Sequence, residues 1–392
     1  MDKKVSDLMD SLEVPGISTE EAEIAAFLDK FLRSQGVPAD AIRYDRTQDQ
    51  SEYGGQIGNM IVRLPARGVH TGASRMFMAH VDTVALCRKA KPRIDLNGRP
   101  RRVVNDNLES ALGADDRSGV AVMMHLVRWL AESKVSHPPI TLVFTVQEEL
   151  GLVGARGLDL KAIQPDPPVM AFNYDGGEVE TIIVAVTGTT RFFIDMFGKA
   201  AHTGVNPQDG ASAAVAAAKA LADLARGGWH GPINRDGGTG SANIGVMSGG
   251  EMTNTVMDKM IIRGEARSHD AVFRQRIVDL YRETFQQAAA ETKNAAGEAV
   301  RTEWKLGPCY ESYAIPQDAL VVRTTVSAMN KLGIHPTFVV SDGGMDANWI
   351  NPRGLPMVTL GSGQHGAHTV KEWINLDEYL AACALIEKLA IE

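Results

Sequence analysis

The chain has 392 residues, 44% of them hydrophobic and 22% charged, with a formal net charge of -8 and 6% aromatics. That balance describes a soluble globular protein and excludes disordered, collagen-like and disulfide-scaffold chains, while the length allows two or three domains. The 48 acidic against 40 basic side chains give no electrostatic reason for nucleic acid. No stretch approaches about 18 uninterrupted apolar residues, so no membrane span is expected, and the start lacks the apolar core of a signal peptide. Cys87, Cys309 and Cys383 are odd in number and far apart, which fits a reduced, cytoplasmic protein.

In chain order, apolar residues at helical spacing (Ile24, Phe27, Leu28, Phe31, Leu32) predict a helix over 20–34, closed by Gly36. Short apolar runs at 60–64 and 75–79 read as strands. A helix over 118–131 leads into the continuous β-branched run 140–146, which suits a strand buried on both faces, and 169–174 repeats the pattern. From 181 the pattern changes. Strands over 181–186 and 191–197, separated by Thr187-Gly188-Thr189-Thr190, predict a hairpin. An Ala-rich helix over 210–224, strands over 242–247 and 259–266 and a helix over 271–293 complete a small α+β group. Alternation resumes near 300, through a strand over 356–360 and a closing helix over 376–389. The fold class is therefore α/β. A mixed sheet with helices on both faces is expected over residues 1–184 and 300–392, with a smaller α+β domain inserted over 185–299.

One segment is strongly basic: Arg88, Lys89, Lys91, Arg93, Arg99, Arg101 and Arg102, broken by Pro92, Asn97-Gly98 and Pro100. The plain reading is a solvated loop; the sharper one is a rim that attracts carboxylate-bearing substrates.

Chemistry gathers just beyond the predicted strands. His80-Val81-Asp82 ends one strand, and residues two apart in an extended chain point the same way, so His80 and Asp82 can share a site. Gly113-Ala114-Asp115-Asp116 opens a helix, where carboxylates serve equally as caps or as cation ligands. Glu148-Glu149, Asp175 and His368 each follow a strand. Open α/β sheets collect ligands at such carboxyl ends. Two histidines and three carboxylates, without clustered cysteine, suit zinc, manganese or cobalt.

Taken together, His80-Val81-Asp82-Thr83, Gly113-Ala114-Asp115-Asp116, Glu148-Glu149-Leu150-Gly151, Tyr174-Asp175-Gly176 and His368 resemble the co-catalytic di-zinc exopeptidases. That family includes peptidase T (tripeptide aminopeptidase), glutamate carboxypeptidase and succinyl-diaminopimelate desuccinylase, and the peptidase T branch is the most similar. The resemblance extends over nearly the whole chain and includes Ala200-Ala201-His202-Thr203-Gly204 and Gly264-Glu265-Ala266-Arg267 in the inserted domain, which it implies is a lid and dimerisation domain. It implies two Zn2+ per chain, with Co2+ or Mn2+ as substitutes. His80 and Asp175 would hold one ion, Glu149 and His368 the other, and Asp115 both. Asp82 would steady His80, and Glu148 would be the general base for the attacking water. His202 would stabilise the oxyanion, in the family often from the partner subunit of a homodimer, while Asn254 and Arg267 would hold a short peptide substrate.

The chain departs from the family pattern at Arg117, Met257 and Met345, none of them a proposed ligand. His365 rivals His368 but lacks the family spacing to Glu372. Gly361-Ser362-Gly363-Gln364-His365-Gly366 matches a dinucleotide pattern without the helix it needs. No G-x-S-x-G occurs, which argues against a serine hydrolase. His70, His125, His137, His230, His269 and His335 read as surface or packing residues. The expected activity is removal of a residue from a short peptide, probed against carboxypeptidase, N-acyl-amino-acid amidohydrolase and non-catalytic binding alternatives.

Overall fold

The computed structural model describes residues 2–69, 72–96 and 98–392, so His70 and Asn97 lie outside the described residues. The chain forms two compact units, the larger comprising the chain up to Ala185 with Ala314–Ser341 and Met345–Glu392, the smaller Val186–Tyr313 with Asp342–Gly344.

In the larger unit, four strands form the parallel heart of a nine-stranded mixed sheet. Their spatial order is Ile140–Thr145, Arg75–His80, Met170–Gly176 and Met357–Gly361. Every residue of the first, second and fourth is buried, which is why these runs are continuously apolar rather than alternating. Antiparallel strands Met60–Leu64 and Thr181–Val186 flank them. The helix Ala114–Ser133 packs on Arg75–His80 and Met170–Gly176, and the helices Lys3–Glu13 and Leu376–Ile391 pack on that helix in turn. Its close approach to the sheet depends on Gly119, where an added Cβ would stand 1.9 Å from the Tyr174 carbonyl oxygen and 2.5 Å from the Asp116 carboxylate.

The smaller unit is a five-stranded antiparallel sheet in the order Gly231–Arg235, Gly238–Gly249, Lys259–Ser268, Gly188–Phe197, Arg301–Tyr310. The helices Ala213–Arg226 and Ala271–Glu291 pack together against it. Ala213, Ala216, Ala217 and Ala220 are small enough for close packing, and Phe192 stacks on Trp304 with ring centroids 5.0 Å apart.

Two expectations change. Strands 181–186 and 188–197 do not form a hairpin, because the first joins the larger sheet while the second is filled on both edges by Lys259–Ser268 and Arg301–Tyr310. A strand with both edges paired has no backbone groups left for its sequence neighbour. The hairpin of this unit is instead Gly231–Arg235 with Gly238–Gly249, turned by Asp236 and Gly237 at φ 54° and 81°. The second change concerns Arg301–Tyr310. It pairs with Gly188–Phe197, so it falls in the smaller unit, which runs on past residue 299 to Tyr313. The basic segment is not a plain loop: it holds the short helical turn Ala85–Lys89 and the antiparallel strands Pro92–Asp95 and Arg102–Asn105, and it is ion-paired, Arg88 with Glu20, Arg93 with Asp106, Arg101 with Asp377 and Arg102 with Asp95. Among the described histidines read as packing, His125 lies against Glu387 and His137 Nδ1 against the Pro138 carbonyl.

Candidate metal centre

The four parallel strands end on the same chemistry. His80 closes Arg75–His80, Glu148 and Glu149 follow Ile140–Thr145, Asp175 lies at the end of Met170–Gly176, and His368 lies in the loop after Met357–Gly361. Asp115 comes from the first turn of Ala114–Ser133, where it and Asp116 depart from helical backbone and are joined by a cis peptide bond. Gln147 and His368 both have positive φ, 52° and 63°, a region that non-glycine residues enter mainly at turns and functional sites.

These residues converge. His80 Nε2 lies 3.0 Å from Asp115 Oδ1 and 3.7 Å from Asp175 Oδ1. His368 Nε2 lies 2.9 Å from Glu149 Oε1 and 3.3 Å from Asp115 Oδ2. Each oxygen of Asp115 therefore faces a different histidine. In a tetrahedral shell with bonds of about 2.0–2.2 Å, neighbouring donors stand about 3.3–3.6 Å apart. The observed separations bracket that spacing, so the donor set fits a pair of cations sharing Asp115.

The surroundings hold the donors in place. His80 is 2% exposed, and its Nδ1 lies 3.0 Å from the Asp82 main-chain oxygen and 3.6 Å from Asp82 Oδ1. The Asp82 carboxylate in turn accepts from the N–H groups of Glu148 (2.9 Å) and Glu149 (3.3 Å) and from Ser18 Oγ (2.7 Å). One carboxylate thus ties a histidine to the turn that carries both glutamates. Burial opposes ionisation of Asp82, but His80, Ser18 and the Glu148 N–H outweigh it and hold the carboxyl below its usual range. Asp116 has a separate task. It accepts from the His80 N–H (3.2 Å) and the Gly119 N–H (3.1 Å), which caps the helix and pins the strand end. It also lies within ligand reach of His80 and Asp175, so geometry alone leaves it a rival to Asp115 for the first cation.

Burial pushes Glu148, Glu149 and Asp175 above the usual carboxylate range, with neighbouring carboxylates adding to the effect. His368 is raised to about 10 by Asp115 and then Glu149. So many buried carboxylates around two imidazoles form a strongly negative pocket, which dications would neutralise.

Three further contacts support the cluster, and of these only Glu372 had a sequence signal, its spacing from His368. Glu372, 3% exposed, accepts from the N–H groups of Gly113 (2.7 Å) and Asp115 (3.0 Å) and so fixes the loop that presents Asp115. Asp346 accepts from Thr145 Oγ1 at 2.5 Å, and Thr145 is the parallel-strand neighbour of His80. Ser18 reaches Asp82 from a segment 64 residues away. The Asp346 and Ser18 contacts are set by tertiary approach and have no fixed sequence spacing.

His202, Asn254 and Arg267 belong to the smaller unit. His202 bridges Thr255, and the Thr203 N–H donates to the Asn254 carbonyl, so His202 and Asn254 lie on adjoining segments. The Gly204 N–H donates to Nδ1 of the exposed His202 ring (3.1 Å), which leaves Nε2 as the nitrogen able to donate. Arg267 is engaged by Glu265 Oε1 (2.8 Å) and the Asp342 carbonyl (3.0 Å).

A model of peptidase family M20/M25/M40 matches residues 76–392. The chain belongs to that family. It is 30% identical to the uncharacterised protein YqjE of Bacillus subtilis over 385 residues, 97% of this chain and 96% of that one. The crystal structure of aminopeptidase PepT from Bacillus cereus matches with a TM-score of 0.80 at 32% identity, covering 99% of this chain and 97% of that one. A tripeptidase from Staphylococcus aureus matches at 0.85 and 25% identity, covering 99% and 96%. Membership and these peptidase neighbours make the chain a hydrolase of the M20 type. No helix among the described residues is long and apolar enough to cross a membrane.

Proposed function

We propose that this M20 hydrolase is a dimetal aminopeptidase that removes the N-terminal residue of short peptides, tripeptides foremost. The observation that carries the reading is Asp115, whose two carboxylate oxygens face His80 and His368 at 3.0 and 3.3 Å. In this assignment His80 and Asp175 hold one ion, Glu149 and His368 the other, and Asp115 both. Zinc is favoured by the mixed imidazole and carboxylate donors, with cobalt or manganese as substitutes. When bound, such a pair polarises the scissile carbonyl and lowers the pKa of water toward about 7.

The chain's own residues do the rest. Glu148 accepts the proton of the attacking water and returns it to the leaving amine; its burial, 9% exposed, favours the protonated form that makes it an effective donor in the second half of the cycle. Asp82 holds the His80 ring through Nδ1. His202, with Nε2 protonated, donates to the developing oxyanion. Asn254 and Arg267 bind the peptide, Arg267 through a carboxylate.

The aminopeptidase reading draws on similarity to the aminopeptidase PepT and the tripeptidase. The 30% identity to a Pseudomonas carboxypeptidase G2, over 41% of this chain and 36% of that one, favours a second reading with the same metals: carboxypeptidase or N-acyl-amino-acid amidohydrolase. Free and N-acetylated tripeptides separate them. Cleavage of free tripeptides alone supports the aminopeptidase; cleavage of the acetylated series with the free series inert overturns it.

The smaller unit is assigned to dimer formation. Gly231–Arg235 covers the strand Gly238–Gly249 only as far as Ala242, leaving 243–249 as a free edge that exposes Val246 and Met247.

A further inference from the structure

The two histidines of the metal centre are held by different means. His80 is buried, and its Nδ1 is fixed by Asp82. The His368 side chain is 53% exposed, and among the described residues nothing bonds its Nδ1. Its φ of 63° is a conformation that persists only where the surrounding structure enforces it. Thr369 stitches the loop 366–372 to itself, its Oγ1 donating to the Gly366 carbonyl (2.8 Å) and its own carbonyl accepting from the Glu372 N–H (3.1 Å). Glu372 then ties the far end of the loop to Gly113 and Asp115. Neither burial nor a partner on the ring aims His368, so its direction depends on how the near end is held.

That end is His365. A small antiparallel sheet in the order Gln364–His365, Trp373–Asn375, Arg102–Asn105, Pro92–Asp95 closes the loop at its base, with His365 directly opposite Trp373. The His365 ring stacks on Trp373, centroids 4.5 Å apart and planes at 17°. Its Nε2 lies 3.0 Å from Glu378 Oε2, on the helix Leu376–Ile391. Glu378 Oε1 accepts from Asn375 Nδ2 (2.6 Å), and Asn375 caps that helix. The histidine three places before His368 is thus committed to a carboxylate outside the metal cluster. The same sheet reaches the shared donor. Trp373–Asn375 pairs with Arg102–Asn105, and Asn105 Nδ2 donates to the Ser110 (2.8 Å) and Ala111 (2.9 Å) carbonyls, just ahead of Asp115. We propose that His365 is a positioning residue for the second cation: held by Trp373 and Glu378, it fixes the base of the loop that aims His368 Nε2 at Glu149 and Asp115. The proposal rests on the dimetal reading above and adds that this clamp serves one ion only, because His80 has its own.

The test is a cobalt(II) titration of the full chain after chelation, followed by the visible absorption of the bound ion. His368→Gln identifies the step that belongs to the second cation. His365→Ala is expected to weaken that same step by about ten-fold and to leave the other step at its wild-type affinity. His365→Gln, whose amide still donates to Glu378, is expected to recover most of the loss. Where His365→Ala does not fold, His365→Phe keeps the stack on Trp373, removes the contact with Glu378, and is expected to weaken the same step. Both steps weakened alike would reduce His365 to general support of the fold, and neither weakened would show the loop held without it; each overturns the proposal and leaves two ions per chain standing. A single step in the wild-type protein would overturn the dimetal reading and the proposal together. Two steps behaving as described in a protein that cleaves no peptide would sink the peptidase activity alone.

Discussion

Asp82, Asp115 and Asp116 are three carboxylates within one cluster, and each does something different because of what it accepts from. Asp116 is committed to two main-chain N–H groups, Asp82 to two more and a hydroxyl, and Asp115 keeps its oxygens for the histidines. Glu148 has its main-chain N–H tied to Asp82 but, among the described residues, no side-chain anchor of that kind, which leaves its carboxyl for proton transfer. Glu148→Gln is therefore expected to lower kcat by about 10²- to 10⁴-fold while metal content stays at the wild-type level. Unchanged turnover would remove Glu148 from the base role.

Glu21 gives a pH prediction at the same scale. It is fully buried; Oε1 accepts from the Thr19 N–H (2.8 Å) and Gln147 N–H (3.2 Å), and Oε2 has no partner. Burial, and then the charge of Asp82, raises its carboxyl from 4.5 to about 7. A raised acid opposes folding when ionised. Its cost is absent below pH 4.5, grows as the pH rises and is complete above pH 7, where it reaches roughly 3 kcal/mol as an upper figure. Glu21→Gln should gain stability relative to wild type between pH 5 and pH 8, measured by urea unfolding at both. A difference that stays flat with pH counts against the assignment.

At the scale of elements, the centre depends on how closely the helix Ala114–Ser133 approaches the strands. Gly119→Ala forces a methyl group against the Tyr174 carbonyl and the Asp116 carboxylate, so either the helix or the strand end must move. A loss of about 1–3 kcal/mol or more is expected in chemical denaturation, together with weaker metal binding because Asp115 and Asp175 part. Wild-type stability and metal affinity in this variant would show that the approach is not as tight as described. The parallel strands and their terminal ligands were legible in the sequence because burial on both faces writes itself as continuous apolar runs, as in 140–145 and 357–361. Pairing was less so. The run 181–186 next to 188–197 looks like a hairpin locally, and only the competing partners Lys259–Ser268 and Arg301–Tyr310 reveal that it is not. The true hairpin carried a usable signal, Asp236-Gly237, but its glycine-rich, polar strands lack the apolar alternation that would have marked them as strands. Asp346 and Ser18 were invisible as supports because hydrogen bonds between distant segments leave no period, and Glu372 was legible by its spacing from His368 but not by its hold on Gly113 and Asp115.

At the scale of the whole molecule, the proposed metal ligands and Glu148 lie in the larger unit, while the proposed dimer contact and the proposed substrate-facing residues His202, Asn254 and Arg267 lie in the smaller. If the proposed dimer forms through the edge of Gly238–Gly249, Val246→Lys is expected to shift sedimentation from dimer to monomer without loss of metal, since the proposed ligands all lie in the other unit. If His202 acts from the partner subunit, the monomer also loses turnover; a monomer with full activity would assign His202 to its own chain. A dimer that persists unchanged would move the interface elsewhere. The central claim is that His80, Asp115, Glu149, Asp175 and His368 hold two cations through a shared Asp115. Metal analysis of the purified protein, titrated with zinc against tripeptide turnover, tests it most directly. The account predicts that turnover reaches its plateau at two ions per chain and falls away when a chelator removes them. A plateau at one ion per chain, or turnover indifferent to chelation, would contradict it.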